Sequence, residues 1–330
     1  MVIKGRRSVR KVSVIPLLRP FVLVVALLTT SLVPPLQAQE ERVLRDILVD
    51  SLRSVYDIWE GQVPAVLEEG DVPVDQFAAP APFGPGEHLE YKVKVGIFNA
   101  GDGYMSVLGI EEHEGSPVYR VNLGIKGGIG PARVNDMYQT WFDVTTLQTW
   151  RYIRDIDEVG YQSYRHWEFY PEIMRWERID FDRGGDLGSA LPLDEIAFIY
   201  FIRTLPLEVG KTYTLNRYFK EEGNPVKVTV LRKDRRETEG VFYNTIVVSP
   251  EIQTDGLFGQ GGKGEIHFTD DERRIPVYVK SDIPNLPGSL TLHLQSITEG
   301  HPLNPVSRLA AKEGRASRGA QTEASGSGLH

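Results

Sequence analysis

Gly259, Gly261 and Gly264, in the stretch GLFGQGGKGEIHF, have the Gly-x-Gly-x-x-Gly spacing of loops that cradle nucleotide phosphates. Such a loop works between a strand and a helix, because the unpaired N–H groups at the helix N-terminus hold the pyrophosphate. Here the following residues alternate, Ile266 and Phe268 against Glu265 and His267, which is the period of a strand. The companion motifs of a kinase are absent as well. The spacing therefore predicts a turn-forming loop before a strand, and no cofactor.

Other chemistry is equally sparse. No Gly-x-Ser-x-Gly elbow and no His-Glu-x-x-His pair occurs, and there is no cysteine to act as nucleophile, metal ligand or disulfide. His267 and His293, with Asp270 nearby, lack any ligand spacing that specifies a metal. Asp270 and Asp271 in TDDERR are adjacent, so on a strand they would point to opposite faces; a tight turn suits them better than acid-base work. No residue is assigned a catalytic role.

Aromatic residues carry more information. Four of the five tryptophans lie between Tyr138 and Phe181, interleaved with Arg151, Arg154, Arg165, Arg175 and Arg178. Two readings stay open. The rings and arginines stiffen a sheet by cross-strand pairing and stacking, or they form a concave surface for an apolar chain or sugar ring. For the second, Trp150, Trp167, Phe169 and Phe198 are the candidate ligand contacts, with Trp167 and Phe169 on one strand face opposite His166 and Glu168. A pocket of about 300–1,000 Å³ would be needed.

The elements that must position these residues are mostly strands. EHLEYKVKVGIF places Leu89, Tyr91, Val93 and Val95 on one face, and VYRVNLGIK repeats the pattern. Further strands are expected over 138–144, 148–156, 161–170, 173–181, 211–220, 226–233, 241–249, 264–269, 275–281 and 289–297. One helix interrupts them. Asp194 is its N-cap, Ile196 to Ile202 are apolar almost all round, and Pro206 stops it, which predicts a buried helix. The fold class expected is mostly β: a curved antiparallel sheet closing into a barrel-like or sandwich domain, with this internal helix and an N-terminal one.

The chain begins as an exported protein would. Six basic residues and no acid precede or flank an apolar run from Phe21, followed by Leu36-x-Ala38, a small-residue cleavage site. The apolar run is too short to span a bilayer. The expected organisation is a signal peptide over 1–38, an amphipathic helix over 39–63, a Pro/Ala-rich linker over 64–82, a β-rich domain over 83–300 and a disordered tail over 301–330. Cleavage after Ala38 removes six positive charges, taking the formal net charge from −8 to −14. Such a surface repels nucleic acid and predicts a periplasmic protein with no membrane span after cleavage.

The segments DEIAFIYFIRTLPLEVGKTYTL and KGEIHFTDDERRIPVYVKSDIPNLPGSLTLHL resemble the exported bacterial proteins of domain-of-unknown-function family 3108. The likeness runs over about residues 83–298. It comprises GEHLEY at Gly86 to Tyr91, Arg203 to Leu207, Phe268 to Asp271, Arg274 to Val277 and the Gly288 to Leu294 strand. Phe268 stands where that family often has Trp. The resemblance implies an exported β-rich domain and brings no activity with it. Arg203, Pro206, Asp270, Asp271, Arg274 and Pro276 are read as structural: Pro206 ends the helix, Arg203 meets its dipole and pairs with Asp270 or Asp271, and the charges form a turn. The sequence thus points to a noncatalytic envelope protein that binds a lipid or other apolar ligand. The alternatives are a structural or protein-interaction module of the envelope, with another envelope protein as partner, and, third, a hydrolase.

Overall fold

Alternation at Leu89, Tyr91 and Val93 buries one side of the strand that carries them, and the structure collects fourteen strands into one antiparallel sheet. This computed structural model describes residues 81–129, 132–158, 161–253, 264–282 and 289–303. The expected signal peptide, the helix over 39–63, Gly259 and Gly261 lie outside the described residues, as does most of the expected linker and tail.

Strands β1 (His88–Val95), β2 (Phe98–His113), β3 (Ser116–Ile129), β4 (Ala132–Asp143), β5 (Thr149–Glu158), β6 (Tyr161–Tyr170), β7 (Arg175–Arg178) and β8 (Arg183–Asp186) form a meander. Helix α1 (Glu195–Thr204) follows. A second meander comprises β9 (Thr212–Leu215), β10 (Val226–Thr238), β11 (Val241–Glu251), β12 (Glu265–Thr269), β13 (Pro276–Ser281) and β14 (Leu290–Thr298). β14 pairs with β1 and joins the two, which leaves β8 and β9 as the free edges. The sheet is curved but not closed. Irregular backbone bridges the seam instead: Gly188 N–H donates to Phe219 O (2.9 Å), Leu193 N–H to Arg217 O (2.6 Å), and Phe219 N–H to Leu193 O (3.2 Å). That seam satisfies backbone groups which open edges would leave exposed.

Strand β2 was not among the expected ones. Its Gly101, Gly103 and Gly109 weaken the strand signal. Two glycines are required where β2 and β3 meet, because a Cβ on Gly127 would lie 1.9 Å from Ala100 O and one on Gly101 2.2 Å from Lys126 O. The single strand expected over 173–181 is instead a 3-10 turn, β7 and the turn into β8.

The sheet wraps around α1. Glu195 to Arg203 are buried without exception, as an all-round apolar helix demands. Asp194 caps it, accepting from Ile196 N–H (2.8 Å) and Ala197 N–H (3.1 Å). On the outer face, the distal half of hairpin β10–β11 reaches back across the sheet. Arg236 lies 3.5 Å from the Tyr278 ring centre, and Lys94 Nζ lies 3.4 Å from Glu239. Tyr278 stands between His267 and His293, so these two do not face each other.

Candidate functional site

In a meander the connections alternate between two ends. The β1–β2, β3–β4, β5–β6 and β13–β14 connections share one end, called here the mouth; the β2–β3, β4–β5, β6–β7 and β12–β13 connections share the other, the base. The base is filled. Phe83 packs edge-on to Tyr200 (4.8 Å) and Tyr119 (5.5 Å), with Phe142 beside them. Ala81 and Pro82, the last residues of the expected linker, belong to this plug: Ala81 is buried and Pro82 O accepts from Arg203 Nη2 at 3.0 Å.

The mouth holds two small cavities. The inner one, about 30 Å³, lies between α1 and strands of both meanders, and Leu123, Ile199, Val279 and Leu292 supply its apolar wall. The outer one, about 110 Å³, is lined by Ile156, Glu158, Tyr161, Ser163 and Arg165. Tyr138 and Arg154 border both.

Strand alternation explains why Arg154 is there. Tyr152, Arg154 and Ile156 share the inward face of β5, which puts a guanidinium among apolar neighbours. Its partner is Glu195 in the first turn of α1, 3.8 Å away. Glu195 is buried and also accepts from Tyr218 OH (3.1 Å) and Tyr152 OH. Burial opposes the charge of Arg154, yet Glu195 and the surrounding phenols hold its pKa above the ordinary value. Arg154 also lies 5.5 Å from the Tyr138 ring centre.

Two further carboxyls are perturbed, Asp136 toward the mouth and Asp194 where the base-side ends of β4 and β5 meet the helix. Burial, then a hydrogen bond with Glu158, pushes Asp136 up to about 7, against the pull of the Asp157 N–H. Burial raises Asp194 to about 6, although the hydroxyls of Thr140 (2.6 Å) and Thr149 (2.7 Å) donate to it. Among the described residues the recess presents no nucleophile held by a base; Ser163 accepts from Arg165 (3.2 Å) and is also hydrogen-bonded to Tyr161. No cluster of three metal-ligating side chains occurs among the described residues.

The four candidate contacts lie elsewhere. Trp167 is buried, stacked on Tyr152 (5.4 Å) with Phe219 edge-on (6.0 Å). Phe169 packs on Phe219 (5.2 Å), and Phe198 is buried on α1. Trp150 lies at a register shift between β4 and β5, half-buried, 6.1 Å from His113. None of the four lines either cavity, and neither cavity approaches the volume expected for a ligand pocket. The reason is α1, which occupies the space that the rings were expected to surround. Trp167 and Phe169 do share the inward face, but Glu168 on the other face is also buried, under Arg151 (2.5 Å), His166 (2.7 Å) and His113 (3.4 Å).

A second correction concerns Arg203. It pairs with Glu87, Nη1 to Oε1 at 2.6 Å and Nη2 to Oε2 at 2.8 Å, and donates to Arg273 O at 3.0 Å. Asp270 instead meets Lys233 (2.7 Å) and Arg274 (3.5 Å), while Asp271 meets Arg273 (2.7 Å) and Thr269 (2.6 Å). The strand pattern of residues 86–91 hid Glu87, which stands just before β1 and faces the helix end. Pro206 follows the helix terminus and its carbonyl accepts from Tyr213 OH; Pro276 opens β13 and its carbonyl accepts from Tyr91 OH at 2.8 Å. Arg274 adopts a positive φ of 48° in the turn before it.

A family model for proteins of unknown function, DUF3108, matches residues 90–295. The chain belongs to that family. The match runs from within β1 to within β14 and includes the helix, while Ala81 to Glu87, which plug the base and pair with Arg203, precede it. Comparison with curated proteins found no match. Among solved structures, the chain is similar to a β-barrel-like protein of domain-of-unknown-function family DUF1849 from Brucella abortus, with 8% identity over 66% of this chain and 98% of that one and a TM-score of 0.42. It is also similar to a DUF1089 family protein from Pseudomonas aeruginosa (10% identity, 58% and 95% covered, TM-score 0.29). A third is a protein with YmcC-like fold from Bacteroides fragilis (12% identity, 67% and 100% covered, TM-score 0.27).

Proposed function

We propose that this DUF3108 protein is an exported, noncatalytic module of the cell envelope that acts by surface contact. The observation that carries the reading is the filled interior. Helix α1 and rings such as Trp167 and Phe198 leave cavities of about 30 and 110 Å³, too small for a lipid chain. Apolar side chains are meanwhile exposed at the mouth, with Ile97 89% and Phe98 60% accessible. No helix among the described residues is long and apolar enough to cross a membrane. Export rests on the basic and apolar pattern of residues 1–38 and predicts a periplasmic chain beginning near Gln39.

The test is photo-crosslinking in cells from a reactive residue at Phe98, with Asp155 on the exposed side of β5 as control. Adducts from Phe98 and none from Asp155 are expected. Their absence at Phe98 overturns the contact reading.

A second reading is favoured by the recess itself. Arg154 and Arg165 beside an apolar-floored cavity would suit the anionic end of an amphiphile, with its chain outside. Native mass spectrometry with lipid extraction tests it: a stoichiometric amphiphile, lost in Arg154→Leu, would support it, and a bare protein mass would remove it.

A further inference from the structure

Val247, His267 and Tyr278 are buried although they face away from the core. Their neighbours Ile246, Ile266 and Val277 take the inward positions, so alternation puts these three on the outer face, where water is expected. The cover is the distal half of hairpin β10–β11. Alternate residues of β10 step across the outer face: Arg232 meets Glu265 of β12 at 3.1 Å, Asp234 lies 3.9 Å from His267, and Arg236 lies on Tyr278 of β13. Glu239, in the turn, meets Lys94 of β1.

Backbone pairing does not hold this cover down. β9 pairs with residues 226–229 and β12 with residues 245–248, so residues 235–243 ladder only to each other. A two-residue turn at Glu239 and Gly240, with φ 46° and 85°, closes the ribbon. Its hold on Tyr278 is a cation over a ring, and Arg236 Nε is buried with no hydrogen-bond partner among the described residues.

The histidines lie under that hold. His267 and His293 pack edge-on against Tyr278, with ring centres at 5.1 and 5.0 Å. The His267 side chain is 1% exposed, and its ring nitrogens lie 3.5 Å from Thr245 Oγ1, 3.6 Å from Glu265 and 3.9 Å from Asp234. Both carboxylates are beyond hydrogen-bond distance, and Glu265 is already paired with Arg232. Arg232 and Arg236 supply the opposing charge. His293 meets Thr291 Oγ1 at 3.1 Å, with Lys94, Arg236 and Glu239 around it. Lys92, its register partner, is paired with Asp102, and Lys280 of β13 with Asp282. Charges of both signs surround the rings, so burial decides. Burial, then Arg236, holds His267 down to about 4, and burial, then Lys94 and Arg236, does the same to His293. Lifting the hairpin returns the rings to water and to the ordinary 6.5, so protons bind the lifted form more tightly. By linkage each histidine raises the lifted-to-closed ratio about 30-fold between pH 8 and pH 5.

We propose that the distal half of hairpin β10–β11 is an acid-released flap, closed over Tyr278 at neutral pH and lifted as His267 and His293 take up protons, which bares Val247, His267 and Tyr278 on the outer face. The flap lies away from the mouth and is independent of what the mouth contacts.

Thiol labelling of the exported chain with 4,4′-dithiodipyridine tests it, because the protein has no cysteine of its own. Val247→Cys places a thiol under the flap, Leu108→Cys one in solvent, and Val230→Cys one facing the core. The labelling rate at 247 relative to 108 should rise at least about 30-fold from pH 8 to pH 5. In His267→Gln/His293→Gln that ratio should stay flat. No rise overturns the proposal, as does a rise that survives in the histidine variant. An equal rise at Val230→Cys would mean that the whole sheet loosens, and overturns it too. In the unaltered chain, the two imidazoles should titrate by NMR with one shared midpoint, since one opening exposes both; two separate midpoints overturn the proposal.

Discussion

The base and the mouth each contain one arginine–glutamate pair that ties α1 to its surroundings, and the two are built to different standards. At the base, Arg203 and Glu87 meet in a two-point fork at 2.6 and 2.8 Å, and the Arg203 side chain is 0% exposed. Its guanidinium carbon lies 5.1 Å from the Phe83 ring centre and 5.4 Å from that of Tyr200. At the mouth, Arg154 and Glu195 are 3.8 Å apart, Arg154 is partly exposed, and cavities lie alongside. A fork of this kind holds one geometry, whereas a single looser contact permits adjustment. The C-terminal end is held by the fork, whereas the N-terminal end is held by the Asp194 cap and by the Tyr152 and Tyr218 hydroxyls on Glu195, with Arg154 as the looser contact beside the recess. The difference separates what maintains the fold from what is available for contact.

Breaking the base pair should give the largest effect. Arg203→Met leaves Glu87 buried without a counter-charge and should cost about 3–5 kcal/mol, while adding Glu87→Leu should recover much of it. Urea denaturation of the two variants measures this, and a single-variant loss below about 1 kcal/mol would erase the contrast. Trp167→Ala comes next. It opens a cavity between Tyr152 and Phe219 and should cost about 3–5 kcal/mol, with no change in any amphiphile carried by the purified chain. Thermal melting with native mass spectrometry separates these outcomes, and loss of a bound amphiphile at full stability would return Trp167 to the ligand-binding role.

At the mouth, Glu195→Gln removes the charge beside Arg154 and keeps one acceptor oxygen, so one of the Tyr152 and Tyr218 hydroxyls must turn to accept from the new NH2. A loss of about 1–2 kcal/mol is expected, smaller than at the base. An equal loss in parallel urea titrations would show the two ends to be held alike.

The smallest effect is a slope in pH. Burial, aided by Arg236 and, for His293, Lys94, holds His267 and His293 down to about 4, below the ordinary 6.5. Between those values the unfolded chain binds more protons, so these groups make stability rise with pH. Asp194, raised to about 6, and Asp136, raised to about 7, act oppositely above their ordinary 3.8, because the folded chain there retains protons that the unfolded chain has lost. The two sets oppose each other, so the unaltered protein should show a shallow profile between about pH 4 and 6. His267→Gln/His293→Gln should leave the carboxyl contribution alone and make stability fall as pH rises. Urea midpoints across that range check the sign.

Much of this was legible in the chain. Alternation at Leu89, Tyr91 and Val93, and again at Ile266 and Phe268, fixes which faces turn inward, because a strand's period is two whatever surrounds it. The run from Ile196 to Ile202 determines a buried helix, since no face of it can meet water cheaply. The strand that follows Gly264 is legible in the same local way. β2 escaped because its glycines serve a close approach to β3, which only the neighbouring strand requires.

The partners were decided by tertiary structure. Local chemistry requires a counter-charge for Arg203, but nearby carboxylates in sequence, such as Asp270 and Asp271, cannot be ranked against Glu87 until the sheet has wrapped around the helix. The same holds for Trp167 and Phe198: their burial is implied by their faces, yet whether they enclose a pocket depends on what occupies the middle. In the sequence Arg154 is one of five arginines interleaved with the aromatic residues, and nothing there singles it out. That it would stand beside a recess, with Glu195 opposite, follows only from the path of α1 through the sheet, because side-chain direction is local whereas the distance between elements is set by the whole packing.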